Sequence, residues 1–154
     1  MNPQYKIRKA TAEDERKIRE LFEEMLRTIN HADTADGYER GYLDKFWKNG
    51  EDRIYVAEKN EVIAYLSVEV YRKPGGAYIY LDDCSVTAHY RNKGIGSALI
   101  LTAESYAKEL GIPVIIFHVK KTNEDAFRLY ERSGYSIYRD DGDRYLMHKE
   151  IRCD

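Results

Sequence analysis

The segment from Val86 to Ser97 carries the most specific chemical signal in the sequence. Its loop reads Arg91-Asn92-Lys93-Gly94-Ile95-Gly96 and leads from a strand-like run into a helix-like run. The first N–H groups of a helix have no intrahelical acceptor, and glycines let a ligand approach the backbone, so this segment is suited to binding a diphosphate. The alternative is that Gly94 and Gly96 only form a turn before the helix, since short glycine motifs also match by chance.

Two common phosphate-binding loops can be tested against these residues. A P-loop requires Gly-Lys-Ser/Thr, where this chain has Gly96-Ser97-Ala98. The dinucleotide fingerprint requires a third Gly or Ala where Leu99 stands, and an acidic residue at the end of the following strand, where His118-Val119-Lys120 occurs. Both kinds of nucleotide site are therefore excluded.

A second informative segment follows the apolar run from Val114 to Val119, which is typical of a buried central strand. Its chemically notable residues are Asn123, Ala126, Tyr130, Gly134 and Tyr135. Asn123 could be a helix N-cap. Tyr130 shares an apolar stripe with Phe127 and could be a core aromatic.

Together the two segments resemble the GNAT superfamily of N-acetyltransferases. Arg91-x-x-Gly94-x-Gly96, with Val86 five residues before the arginine, is similar to the acyl-coenzyme A loop of that superfamily. The segment from Asn123 to Tyr135 resembles its next motif, and the order of elements from Tyr5 to Ile151 also agrees. The chain departs from the family pattern at Ala88, where many members have Pro, and at Ser133, where Leu or Cys is common.

The resemblance implies acetyl-coenzyme A as co-substrate and assigns roles to individual residues. The backbone of Cys84 and Val86 would run along the pantetheine arm, and the Val86 N–H would meet the oxyanion. Tyr130 would also contact the cofactor and would protonate the departing thiolate. Asn123 would bond the pantetheine or order its loop, with Ala126 packed nearby. The pyrophosphate would be held by N–H groups of Arg91, Asn92, Lys93, Gly94, Ile95, Gly96 and Ser97.

An amine acceptor also requires a base, because an alkyl amine with a pKa of about 10.4 is mostly ammonium at neutral pH. Asp82 and Asp83 lie on the predicted strand before Val86, and strict alternation would point them to opposite faces, so only one could face the thioester. Family members often have an acid at the position of Asp82, which favours it over Asp83 and Glu69. The alternative is that both aspartates are solvated or paired with surface bases.

The predicted elements form an α/β or α+β fold. We expect a mixed, mostly antiparallel sheet of about seven strands, flanked by about four helices, in one domain over residues 1–154. The resemblance to the GNAT superfamily implies that this sheet is splayed between the fourth and fifth strands. Apolar spacing predicts a first helix that follows Thr11 and ends near Asn30, and a second amphipathic helix within His31 to Trp47. Later helices are predicted to end at Gly111 and Gly134.

Composition excludes several other classes of protein. The net charge is −2 with no basic block, which disfavours nucleic-acid binding, and no apolar run approaches the ~20 residues of a membrane span. His31, His89, His118 and His148 lack metal-ligand spacing, so no metal is expected. Cys84 and Cys153 form no CxxC pair, which fits a reducing cytoplasmic setting.

The sequence thus predicts an N-acetyltransferase that acts by direct attack in a ternary complex, since no Cys or Ser stands at a position suggesting an acyl-enzyme. The rival is a catalytically silent acyl-coenzyme A sensor. A small-molecule primary amine is favoured over protein lysine or N-terminal amines, and a homodimer is also expected. Acceptor contacts would come from the variable segments at about residues 26–47, 71–77 and 140–144, where Tyr38, Tyr42, Trp47, Asp140, Asp141 and Asp143 could suit a cationic amine.

Overall fold

The sheet of this protein has seven strands in the order β1-β2-β3-β4-β5-β7-β6. The computed structural model describes residues 4–30 and 37–152. Its elements are β1 (Lys6–Lys9), α1 (Glu15–Asn30), β2 (Arg53–Lys59), β3 (Glu61–Lys73), β4 (Gly76–Val86), α2 (Ile95–Leu110), β5 (Val114–Lys120), α3 (Glu124–Arg132), β6 (Ser136–Asp140) and β7 (Arg144–Glu150). The predicted mixed sheet is confirmed.

The first helix begins where the sequence predicts it. The Thr11 N–H donates to Asp14 Oδ2 at 2.8 Å, which ties the chain before the helix to a short 3-10 helix over Ala12–Asp14 that leads into α1. Ile18 and Leu21 recur at helical spacing and are buried under the sheet. This amphipathic stripe fixes which face of α1 contacts the strands.

The strands separate where the sequence predicts a splay. β4 pairs with β5 in parallel only at Ile79↔Ile115 and Tyr80↔Ile116. Beyond Tyr80, β4 continues along β3 to Val86, while β5 continues along β7 to Lys120. The sheet therefore opens into a gap with unpaired backbone along its β4 side.

Each face of the sheet has its own core. On one face, α2 buries Leu99, Ala103 and Tyr106 against the strands. On the other face, α1 and the segment after it bury Ile18, Leu43, Phe46 and Tyr65 among others. The two layers hold β3 and β4 between them, so the start of the gap has a rigid frame.

The stretch predicted as a second amphipathic helix differs from that expectation. Residues 31–36 lie outside the described residues, and the rest contains a five-residue 3-10 helix, Tyr42–Phe46, in place of an α-helix. Gly41 precedes it with φ +81°, a left-handed conformation that interrupts α-helical continuation. The described part of the chain therefore has three α-helices where about four were expected.

Candidate active site

A cavity of about 1280 Å³ opens at the gap between β4 and β5. Its wall combines the end of β4, the loop before α2, β5 and the first turns of α3. Nearly all residues predicted for the site line it, namely Asp82, Asp83, Cys84, Val86, Arg91, Asn92, Gly94, Ile95, Gly96, Ser97, Asn123, Ala126 and Tyr130. Lys93 is exposed and Glu69 is buried, and neither is among the lining residues. The structure thus brings together two segments that are far apart in the chain.

The N-terminus of α2 faces the cavity with free backbone donors. Gly94 starts the helix at φ +84°, a conformation that glycine adopts without strain. The first hydrogen bond of the helix runs from the Ala98 N–H to the Gly94 carbonyl, so the N–H groups of Ile95, Gly96 and Ser97 have no intrahelical acceptor. Only Leu129 Cδ2, at 3.9 Å, would lie within 4 Å of a Cβ added at Gly96. The space and the donors both fit a diphosphate.

Glu24 on α1 anchors this loop, which the sequence reasoning missed. Its carboxylate accepts hydrogen bonds from the Thr87 hydroxyl at 2.9 Å, the Ala88 N–H at 3.0 Å and the Arg91 guanidinium at 3.2 Å. The Arg91 Nε also donates to the Val86 carbonyl at 2.8 Å. The arginine side chain therefore links the loop to the end of β4 and to α1.

Tyr130 projects from α3 into the cavity beside Cys84. Its ring packs edge-on against Phe117 with centroids 4.4 Å apart. Burial, with the neighbouring Cys84, raises the pKa of the Tyr130 phenol above its usual range, so the hydroxyl is protonated at neutral pH. Burial likewise raises the pKa of the Cys84 thiol to about 12. Cys84 is therefore a neutral thiol and a poor nucleophile.

The expectation that Asp82 and Asp83 point to opposite faces is wrong. β4 is bulged there, since Cys84 pairs with Leu66 and Leu81 pairs with Val68, which leaves both aspartates opposite Ser67 alone. The extra residue breaks the alternation of side chains, and both aspartates line the same cavity. The site therefore has a pair of carboxylates instead of one.

Two stacked tyrosines bind this carboxylate pair. The Tyr38 hydroxyl donates to Asp83 Oδ2 at 2.6 Å, and the Tyr42 hydroxyl donates to Asp82 Oδ2 at 3.0 Å. The two rings are parallel with centroids 5.0 Å apart, and the Tyr38 hydroxyl is also 3.0 Å from that of Tyr65. The aromatic segment after α1 thus fixes the positions of the two carboxylates.

The two carboxylates differ in environment. Burial, reinforced by the charge of Asp82, raises the pKa of Asp83 to about 6 despite the opposing hydrogen bond from Tyr38. Asp82 is exposed. Glu69, the third acid considered, is buried and forms an ion pair with Lys45. A carboxyl group that titrates near neutral pH is suited to proton transfer, which distinguishes Asp83.

Asn123 is the N-cap of α3, which is one of the two roles that the sequence suggests for it. Its Oδ1 accepts a hydrogen bond from the Ala126 N–H at 3.3 Å and so caps α3, while the residue also lines the cavity. The capping bond does not exclude a ligand contact through the Asn123 side-chain amide. Its contact with a cofactor stays a prediction.

His118 is a lining residue that the sequence analysis considered only as a metal ligand. Its Nδ1 lies 2.6 Å from the Tyr80 hydroxyl, and its Nε2 lies 2.9 Å from Asp141 Oδ2. The alternation along β5 could have indicated that His118 faces away from the apolar core. Nothing in the sequence predicted its partner on the turn between β6 and β7.

The described residues contain no group of three or more His, Cys, Asp or Glu side chains placed to hold a metal ion. Within residues 4–30 and 37–152, every helix is too short or too polar to cross a membrane.

The sequence matches a known protein family. Residues 16–135 match the acetyltransferase (GNAT) family. The chain is 30% identical over 130 residues to YwnH of Bacillus subtilis (strain 168), a candidate phosphinothricin acetyltransferase, covering 74% of this chain and 77% of YwnH. It is 33% identical over 61 residues to spermidine N(1)-acetyltransferase of Thermoplasma acidophilum, covering 40% of this chain and 38% of that enzyme.

A solved structure shows the same fold at lower identity. The PaiA N-acetyltransferase of Thermoplasma acidophilum, solved in complex with coenzyme A, superposes with a TM-score of 0.75 at 20% identity. The match covers 97% of this chain and 99% of that one.

Proposed function

Because this chain belongs to the acetyltransferase (GNAT) family, we propose that it transfers the acetyl group of acetyl-coenzyme A to a primary amine of a small molecule. The observation that carries this proposal is the single cavity lined by the amide end of α2, by Tyr130 and by the carboxylate pair. An anion site, a proton donor and a proton acceptor therefore meet in one space. The reaction is a direct attack in a ternary complex.

Acetyl-coenzyme A is the acetyl donor of this family, and it supplies a thioester whose carbonyl carbon accepts the electron pair of the amine. The N–H groups of Ile95, Gly96 and Ser97 bind its pyrophosphate. The β4 backbone beyond Tyr80, which lacks a β5 partner, binds the pantetheine arm through Cys84 and Val86. The Val86 N–H stabilises the oxyanion.

Asp83 is the base that we propose for the acceptor. The amine arrives as ammonium and must lose a proton before it can attack. The Asp83 pKa of about 6 leaves the carboxylate ionised at neutral pH yet more basic than an ordinary aspartate. The exposed Asp82 adds a second negative charge, which attracts the cation. This assignment shifts the main role from Asp82, which the family pattern favours, to Asp83.

Tyr130 is the acid that we propose for the leaving group. Its raised pKa keeps the phenol protonated until the thiolate forms. Because a free thiol has a pKa of about 8.5, below that of the phenol, the Tyr130 hydroxyl stabilises the developing thiolate as a hydrogen-bond donor during C–S cleavage, and solvent replaces any proton that the phenol transfers. The buried Cys84 thiol, with its pKa of about 12, supports direct attack over an acyl-cysteine route.

A small cationic acceptor is supported by the carboxylate pair on the cavity wall. Tyr38 and Tyr42 bind Asp83 and Asp82, and the two acids give this side of the cavity a negative charge that favours a cationic amine. The cytoplasmic setting and the homodimer stay predictions.

The test is a thiol-release assay with purified protein, acetyl-coenzyme A and three groups of acceptors: small primary amines, lysine-containing peptides with blocked termini, and peptides with a free N-terminus. Saturable thiol release with a small amine, matched by the acetylated product in mass spectrometry, is expected. Turnover only with peptides would show that the acceptor is a protein lysine or N-terminal amine instead of a small molecule. Tight coenzyme A binding without turnover on any acceptor would support the sensor alternative.

A further inference from the structure

Three side chains form a continuous hydrogen-bonded chain that borders the cavity at its middle member, His118. The Tyr80 hydroxyl is 2.6 Å from His118 Nδ1, and His118 Nε2 is 2.9 Å from Asp141 Oδ2. Tyr80 is the last β4 residue that pairs with β5, so its side chain stands where the gap begins. His118 lines the cavity, and Asp141 starts the exposed turn between β6 and β7.

The charges around this chain fix the direction of its hydrogen bonds. Hydrogen bonds from Arg139 and then from His118 lower the pKa of Asp141 to about 2, so Asp141 is an anion that can only accept. His118 Nε2 must then carry hydrogen, which leaves the lone pair of Nδ1 to accept the Tyr80 hydroxyl. Tyr80 itself experiences the negative charges of Asp82, Glu69 and Asp83 and the positive charge of Arg144.

The proposed reaction leaves one proton that the predicted acid and base do not remove. An ammonium acceptor gives up two protons on becoming an amide, and the thiolate takes up one of them. The balance is ammonium plus thioester giving amide, thiol and one free proton. Because Asp83 is half-buried and accepts a hydrogen bond from Tyr38, a path that returns it to the ionised form would assist each turnover.

We propose that Tyr80, His118 and Asp141 form a relay that carries this proton from the acceptor side of the cavity to solvent. The Tyr80 oxygen accepts a proton from the acceptor nitrogen or from the carboxylate pair while its own proton moves to His118 Nδ1. The Asp141 carboxylate stabilises the resulting imidazolium, which regains its starting tautomer by losing the Nδ1 proton to water in the open cavity. This inference rests on the proposed function.

The competing explanation is a purely structural link that fastens β4 to β5 and to the following turn. That link would not affect proton transfer. Both explanations place hydrogen on His118 Nε2, because the Asp141 carboxylate can only accept a hydrogen bond. The tautomer therefore tests whether the hydrogen-bonded chain exists, and the rate with its rescue by imidazole separates the relay from the structural link.

The first test is nitrogen-15 NMR of the histidine rings in the free, full-length protein at pH 7.5. The relay predicts hydrogen on His118 Nε2 and a lone pair on Nδ1, and Asp141→Asn should weaken this preference because it removes the anionic acceptor of the Nε2 hydrogen. His148, which packs against Tyr138, is an internal reference. A ring protonated on Nδ1 at pH 7.5 would overturn the relay.

The second test measures kcat in His118→Gln and Tyr80→Phe with an amine that the wild type acetylates. Loss of acid–base assistance is typically worth about 10²–10⁴ in rate, so we expect kcat to fall by at least about tenfold with little change in acetyl-coenzyme A affinity. In His118→Ala, added imidazole should restore the rate in proportion to its neutral form. His148→Gln is the matched control and should behave as wild type.

The outcomes separate this inference from the proposed function. If no amine yields thiol with the wild type, the proposed function fails, and the tautomer measurement still reports on the hydrogen-bonded chain. If the wild type is active and folded His118→Gln keeps the same kcat at every pH, the relay is refuted while the acetyltransferase stands. An imidazole-insensitive loss of rate would assign the link a structural role.

Discussion

The two ends of the cavity are built in different ways. At the cofactor end, the donors are consecutive backbone N–H groups of Ile95, Gly96 and Ser97 at one helix terminus. At the acceptor end, side chains from distant segments converge, as in the hydrogen bond between Tyr38 and Asp83, which are 45 residues apart. The cofactor end can therefore keep its function under many substitutions of side chains, while the acceptor end depends on each one. That difference suits an enzyme family in which the acetyl donor stays the same and the acetyl acceptor varies.

Tyr130 lies where the two ends meet, and its hydroxyl should give the largest effect. Tyr130→Phe keeps the ring against Phe117, so kcat at saturating acetyl-coenzyme A should fall by about 10²–10⁴ with the cofactor affinity unchanged. Tyr135→Phe is the matched control, because that ring also packs on Phe117 while its hydroxyl bonds Glu104. A loss below about threefold in folded Tyr130→Phe would make Tyr130 a packing residue.

Gly96→Val tests whether the cofactor end works through backbone access. The added side chain would point into the space where the diphosphate approaches, with only Leu129 nearby, so the fold should survive. Calorimetry should show acetyl-coenzyme A binding weakened by about 100-fold, or roughly 3 kcal/mol. Leu101→Val places a β-branched residue on the exposed side of the same helix and should bind normally. Unchanged affinity in Gly96→Val would contradict the pyrophosphate assignment.

The carboxylate pair tests the acceptor end. Wild-type kcat should fall as pH drops through about 6, since protonated Asp83 cannot accept a proton. Asp83→Asn should remove this acidic limb of the pH–rate profile and lower kcat by about 10²-fold at pH 7.5. Asp82→Asn should mainly raise the KM of the amine. If Asp82→Asn instead abolishes the acidic limb, the roles of the two aspartates are exchanged.

Asp83 should also affect stability, with a sign opposite to that of an ion-paired carboxylate. Its pKa is raised in the folded state, so the native protein binds more protons than the unfolded chain between about pH 4 and 6, and stability falls as pH rises through that window. The cost of ionised Asp83 at neutral pH is on the order of 3 kcal/mol. Thermal unfolding of Asp83→Asn should therefore occur at higher temperature at pH 7.5. A lower Tm there, with an unaltered pH dependence, would refute the raised pKa.

Glu24→Ala should give the smallest effect on acetyl-coenzyme A binding. Glu24 connects α1 to the loop before α2. The substitution removes the anchor of Thr87, Ala88 and Arg91, so the loop should become less ordered while its backbone donors remain. We expect acetyl-coenzyme A binding to weaken by about fivefold, or roughly 1 kcal/mol, with kcat nearly unchanged. Glu20→Ala, on the exposed side of α1, is the control. Equal affinity in both variants would show that the loop does not need this anchor.

The cofactor end was predictable because its signals are local. The loop around Gly94 and the helix that bears Tyr130 each lie within about a dozen residues, and helix termini leave donors free wherever they occur. The family match confirms the resemblance that these motifs carried. The splay was expected from that resemblance alone, since nothing in the strand pattern of β4 indicates where its pairing with β5 stops.

The acceptor end was less predictable because its geometry depends on strand register and long-range contacts. The β4 bulge cannot be read from Asp82-Asp83, since it is defined by the pairing with Leu66 and Val68 on another strand. The link from His118 to Asp141 likewise depends on how the turn after β6 folds back. Glu24 carried no local signal, because an acid on an amphipathic helix is ordinarily a solvated residue.

The short pairing between β4 and β5 leaves part of the β4 edge open to a ligand. Two residue pairs join the half-sheet of β1–β4 to the half-sheet of β5–β7, and the remaining edge of β4 has hydrogen-bonding groups without a neighbouring strand. A pantetheine arm lying along that edge would act as a temporary eighth strand. Ligand binding would then add to the free energy of unfolding in proportion to the logarithm of its concentration, and amide exchange along β4 would slow first.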